Sequence, residues 1–261
     1  MRDSTIAGFK GLCLLALGVL LSACAGTPDY NPTTFPYELD QGKLAANSIR
    51  TVVIPHVNLG PPSRNYLEDE APRIDGYVSA YLKENGYKVI AQREFEQRWN
   101  TAVRAYGNPV DPTTGRTNMK SFSLIMQDVR DGLVKDFNLD AFVFTDLLEL
   151  EAPFSGGLKH VARWDGVTRK PAVQGPGNSI SADFDWNAVA AVASLQVAIF
   201  NTDLERVFFS RGGLDATDAI DTRTERYARR RTLLENKDNI KEGIGIALHP
   251  FIEYEDWPGN P

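Results

Sequence analysis

Hydrophobic positions along the chain follow two different periods. In residues 72–85, Ile74, Tyr77, Val78, Tyr81 and Leu82 recur at three- and four-residue spacing and Gly86 follows, which predicts a helix with a glycine terminator. Phe95, Trp99, Ala102, Val103 and Tyr106 form a second stripe closed by Gly107. Phe122, Ile125, Val129, Leu133 and Phe137 form a third, with Asp131 placed four residues before Lys135. Ile240, Ile244, Ala247, Leu248 and Phe251 stripe a last helix that Asn236 or Asp238 can cap. The stretches between read differently. "SIRTVVIPHV" is a β-branched run predicting a buried strand that ends near Val57, and "YKVIA" and "AFVFTDLLEL" predict two more. "VAAVASLQVAIF" and "RVFFSRGG", joined by a turn around Asn201 to Glu205, predict a hairpin with Leu195, Val197 and Ile199 on one face.

The order is strand, helix, strand, two helices, strand, a break, two strands, helix. That is an α/β fold, a mixed sheet packed against helices with a late antiparallel hairpin and a C-terminal helix. The break, at about residues 151–186, carries Gly156, Gly157, Gly166, Gly175 and Gly177 among polar residues and reads as an excursion from the domain. Within it, "HVARWDGVTRK" places Asp165 and Gly166 between two extended pieces, a local hairpin signal. Upstream, residues 24–46 hold three prolines and no sustained period, which predicts an extended tether before a single domain at 47–256.

The apolar run from Gly11 to Ala23 is about 13 residues, short of the roughly 20 a membrane-spanning helix requires. With Arg2 and Lys10 ahead of it and small residues behind, residues 1–23 form a secretory signal peptide. Leu21, Ser22, Ala23 and Cys24 resemble the bacterial lipobox at every position. The resemblance implies cleavage after Ala23 and a diacylglycerol thioether on Cys24, with a palmitate-type acyl chain on its amino group. Two or three chains hold a protein on a membrane without any spanning helix, at about 0.8 kcal/mol per buried CH₂. Ala25 and Gly26 follow the cysteine where an inner-membrane retention signal would have Asp, so the resemblance further implies the outer membrane, facing the periplasm.

Charge narrows the function. Removing Arg2, Lys10 and Asp3 with the signal leaves 26 basic and 33 acidic residues, an acidic surface that argues against a nucleic-acid partner. Cys13 goes with the signal and Cys24 is acylated, so no disulfide, thiol nucleophile or thiolate metal site is expected.

The lipobox, the tether, the opening "TVVIPHV", "NGYKVI", "DAFVFTDLL" and the hairpin "SLQVAIFNTDLERVFFSRG" together resemble a group of periplasmic lipoproteins. It includes the curli-secretion lipoprotein, the activators of penicillin-binding proteins and the exopolysaccharide-secretion lipoproteins, whose fold is like the N-terminal domain of the Tol-Pal translocation protein. The resemblance covers roughly Ser48 to Phe251 and implies a non-catalytic assembly, secretion or interaction accessory with an envelope protein partner and no cofactor. Some members self-assemble into rings, so a homo-oligomer stays open. The chain lacks the two long amphipathic hairpins of the curli channel, which argues against a pore.

Candidate residues are few. His56, His160 and His249 fall in unrelated elements with no metal-ligand spacing, so no metal is expected. Gly243 and Gly245 in "EGIGIALHP" lack the strand and third glycine of a dinucleotide fingerprint and read as close helix packing. The acids of "LEDE" leave a carboxylate-dependent hydrolase of envelope glycans as the enzymatic alternative, although acids before a helix ordinarily complement its dipole. Interaction candidates are Trp164 at the hairpin tip, Asp111 and Arg116 in the turn "DPTTGRTN", and the run "RTERYARRR". If helical, that run aligns Arg223, Arg226 and Arg230, with Arg229 beside them, as a basic patch on an acidic protein. Both the excursion and the arginines are expected to be dispensable for folding.

Overall fold

Thr51–Val53 (β2) is buried on both faces because it lies between two parallel neighbours, Lys88–Ile90 (β3) and Ala141–Pro153 (β4). The computed structural model describes residues 34–46, 48–56, 65–111, 113–155, 159–177 and 179–259. The expected signal peptide, the expected acylation site Cys24 and the expected strand end at Val57 lie outside them. A six-stranded mixed sheet is the frame. It runs, from one edge to the other, Glu38–Leu39 (β1), Arg206–Ala216 (β9), Val189–Asn201 (β8), β4, β2 and β3. The late hairpin is there as β8 and β9, paired antiparallel, and β4 pairs antiparallel with β8 on its other side, from Ala141 against Asn201 to Pro153 against Val189. The fold is thus mixed α/β with a C-terminal helix, as the periodicity predicts.

Alternation along the strands supplies two cores. Val52, Val143, Leu195, Val197 and Ile199 point to one face, where they meet Ile74, Val78 and Leu82 of Ala71–Glu84 (α3) and Ile240, Ile244 and Leu248 of Lys237–Leu248 (α6). Val53, Ile90 and Phe142 point to the other, against Phe95 and Ala102 of Gln92–Tyr106 (α4) and Ile125, Val129 and Leu133 of Met119–Phe137 (α5). The short helices Gln41–Ala46 (α1) and Asn65–Glu68 (α2) complete the helical set among the described residues. The ends follow the sequence signals. Asn236 Oδ1 accepts the N–H groups of Asp238 and Asn239, Asn118 Oδ1 accepts that of Ser121, and α5 stops at Asn138 with φ 55°. No helix among the described residues is long and apolar enough to cross a membrane.

Three sequence expectations change. The described part of the expected tether belongs to the domain: Leu39 and Leu44 pack on the core, and β1 pairs with Phe208 and Phe209. The sheet edge β9 offers unpaired backbone groups there, and the chain fills them. The excursion is likewise no appendage. Ala162–Trp164 (β5) and Val167–Arg169 (β6) form the expected hairpin, with Asp165 and Gly166 at φ 37° and 84°. Its residues Ala162, Trp164 and Val167 then build a third core with Ala152, Phe154, Ala190, Val192 and Ala216. Finally, the arginine run is not helical. Asp218–Asp221 (β10) pairs antiparallel with Arg226–Arg229 (β11) and parallel with Ala172–Gln174 (β7), a separate three-stranded sheet.

Candidate functional site

The β10–β11 hairpin positions the arginines by strand alternation and a tight turn. Asp221 accepts the N–H of Glu225 at its carbonyl (2.8 Å) and that of Arg223 at Oδ1 (2.8 Å), which fixes the turn and turns Arg223 outward. Of the predicted patch, two members are consumed internally. The Arg229 guanidinium lies 4.2 Å over the Tyr66 ring, contacts Glu149 at 2.6 Å and Asp218 at 3.6 Å, and donates to Thr217 Oγ1 at 2.7 Å. Burial opposes its charge, but the Glu149 bond outweighs that and moves its pKa up. Under it, burial first and Glu149 second push the Tyr66 phenol up to about 12. Arg230 reaches Asp215 at 3.0 Å and the Ala216 carbonyl at 2.9 Å. These two arginines fasten the small sheet to β4 and β9.

Arg223, Arg226 and Arg231 are exposed, and no side-chain ion pair of theirs occurs among the described residues. Arg223, Arg229 and Arg231 line a cleft with Gln174, Gly175 and Asp221. Its wall is rigid: Thr222 Oγ1 donates to the Pro176 carbonyl (3.1 Å), and Gln174 Nε2 donates to that of Arg229 (3.2 Å). Gly175 sits at φ 107° with Thr222 Oγ1 only 2.6 Å from where a side chain would begin, so only glycine serves there. Guanidinium groups around a concave surface take carboxylate, sulfate or phosphate oxygens in pairs.

The other predicted residues fare differently. Trp164 is buried at 5% exposure and donates Nε1 to the Ala193 carbonyl (3.2 Å), so it anchors the hairpin inward and is not a surface anchor. An indole needs a partner for its N–H, and β8 supplies one. In the turn, Asp111 Oδ1 accepts the N–H groups of Thr113 and Thr114 at 2.8 Å each, and those bonds hold its carboxyl below the usual range. Asp111 therefore shapes the loop, while Arg116 stands exposed beside it. The structure does not bring Asp111, Arg116 and the β10–β11 arginines into one cleft.

The histidines stay apart. His160 stacks on Trp186 and His249 on Trp257, with ring centroids at 3.5 and 4.6 Å. Burial lowers the His249 pKa, with Glu253 opposing. His56 is paired in a way the sequence reading missed: its Nδ1 is 3.1 Å from Asp75, a buried carboxylate that also accepts Thr145 Oγ1 at 2.6 Å. The signal was an Asp inside the apolar stripe of α3. Glu70 of "LEDE" is paired with Arg73 across one helical turn. No group of three or more His, Cys, Asp or Glu able to hold a metal occurs among the described residues. Compared with protein families, with characterised proteins and with solved structures, the chain gives no match.

Proposed function

We propose that the protein is a lipid-anchored accessory of the bacterial envelope, fixed to the outer membrane through Cys24 and facing the periplasm. Its β10–β11 cleft docks an envelope protein through a carboxylate-rich surface. The observation that carries the docking reading is that the chain, acidic overall, leaves Arg223, Arg226 and Arg231 without a side-chain ion pair among the described residues at one rigid edge. Arg229 and Arg230 hold that edge in place and are unsuitable for surface tests. Reversing either puts a carboxylate beside Glu149 and Asp218, or beside Asp215, and is expected to loosen the small sheet.

The test is envelope crosslinking of the lipidated protein with R223E, R226E and R231E combined. The partner yield is expected to fall at least about tenfold, since each lost charge contact contributes on the order of 1 kcal/mol, with thermal melting unchanged. Full yield would remove the docking reading, and a ladder of self-crosslinks would replace it with a homo-oligomer. The anchor is tested separately. Cys24→Ser is expected to abolish fatty-acid labelling and to release the exported domain, because serine supplies no thiolate for the thioether. Label persisting on that variant would remove the lipoprotein reading.

A further inference from the structure

The described residues cover the sheet's second face only in part. Residues of β4, β8 and β9 that alternate with the α3/α6-facing set project there: Phe144 pairs across the sheet with Ala198 and then Phe209, and Asp146 with Gln196 and then Arg211. The α4–α5 pair covers Phe142 and reaches Phe144, and Trp164 and Val167 cover the far end near Val192. Between them, Ala198, Phe200 and Phe209 belong to none of the three cores and stay half-buried. The strip ends at Phe35, whose ring meets Phe209 edge-on at 5.8 Å. Two arginines border it, Arg206 lying 4.9 Å over Phe209 while paired with Glu38 at 2.5 Å, and Arg211 lying 4.5 Å over Phe35.

The chain length upstream says what lies against this strip. The domain begins at Phe35 and not after Ala46, so only ten peptide steps separate Cys24 from Thr34, at most ~35 Å fully extended. Strand β8 alone, with 13 residues, is about 40 Å long. A tether no longer than one strand holds the face from which it leaves toward the surface that holds the acyl chains.

We infer that the Phe144–Ala198–Phe209–Phe35 strip, with Arg206 and Arg211, is the surface by which the domain rests on the lipid bilayer. This rests on the Cys24 anchor proposed above. Half-buried aromatics with flanking guanidinium groups suit that interface, where rings enter the headgroup layer and arginine stems lie along them, the Arg211 charge reaching the phosphates while that of Arg206 is met by Glu38. Ala216 is seven residues beyond Phe209 on β9, about 23 Å along the strand, and β10 and β11 follow it, so the arginine cleft lies outside the strip.

The experiment uses the exported, acylated protein in vesicles of phosphatidylethanolamine and phosphatidylglycerol. With Cys13 removed and Cys24 acylated, an introduced cysteine is the only free thiol. Spin labels are placed singly by Asp146→Cys, Ala198→Cys and, as reference on the β10–β11 turn, Thr224→Cys. On moving from detergent to vesicles, the ratio of oxygen to water-soluble nickel collisions is expected to rise at least about twofold at 146 and 198 and to stay constant at 224. Equal ratios at all three positions on a protein whose mass shows the acyl groups would overturn this inference and leave the anchor standing. A protein lacking the acyl mass would overturn both. Dipolar broadening between labels at 146 would identify a second copy of the chain on the strip and overturn the bilayer as its occupant.

Discussion

Deleting residues 159–170 is expected to unfold the domain. The deletion removes Ala162, Trp164 and Val167, all buried in the third core with Ala152, Ala190 and Val192. Burial of side chains the size of the two larger ones contributes about 1.5–3 kcal/mol each. It also removes Arg169, buried at 8% exposure, which donates Nε to the Leu214 carbonyl (3.0 Å) and pairs with Glu242 at 2.7 Å. Leaving the Ala193 and Leu214 carbonyls without these donors costs on the order of 1–3 kcal/mol apiece. Together that is comparable to the whole stability of a domain, about 5–15 kcal/mol. Circular dichroism on thermal and urea melts reads the outcome. A deletion variant that melts like the parent would mean the hairpin is the dispensable excursion its glycines suggested. The single change Trp164→Ala, expected to cost about 3–5 kcal/mol, separates loss of packing from strain at the new chain junction.

That reversal shows where sequence reading works and where it stops. Long elements were legible because their period repeats several times: Ile125, Val129 and Leu133 all lie in one core, and Leu195, Val197 and Ile199 all lie in the other. The Asp-Gly turn was legible because its backbone demand is local, and Asp165 and Gly166 both have positive φ. What the hairpin covers is not local. Nothing within "HVARWDGVTRK" says that Trp164 finds the Ala193 carbonyl 29 residues away. Strands of two to four residues, such as β1, β7, β10 and β11, are too short to display a period. In "RTERYARRR" the three- and four-residue spacing of Arg223, Arg226 and Arg230 imitates a helix face, yet a strand forms because it completes an edge beside β10. The candidate site was half-legible for the same reason: the basic run is visible, but which arginines are spent depends on Glu149, Asp215 and Asp218.

Gly243 was read as a close-packing residue, whereas its counterparts Gly212 and Gly213 on β9 were read only as the end of a strand. The contact they make brings α6 against β9 at backbone distance. A side chain starting at Gly212 would meet the Gly243 carbonyl oxygen at 2.0 Å and the Ala247 N at 2.8 Å, and one at Gly243 would meet the Gly213 oxygen at 2.3 Å. All three obstacles are backbone, which cannot rotate away. Gly212→Ala must therefore push α6 off the sheet by an ångström or more, separating Ile240, Ile244 and Leu248 from Leu195 and Val197 in a core packed without slack. The expected loss is about 3 kcal/mol or more, which for a domain of this size is a fall of roughly 6–12 °C in melting temperature. Gly76→Ala is the matched control. It lies inside α3 with nothing within 4 Å of the new methyl, so the same chemical change should stabilise by about 0.5–1 kcal/mol through helix propensity alone. Urea midpoints of the two variants should move in opposite directions. A Gly212→Ala protein with the parent's midpoint would mean that α6 does not sit on β9 at backbone contact, and the C-terminal helix would need a different seat on the sheet.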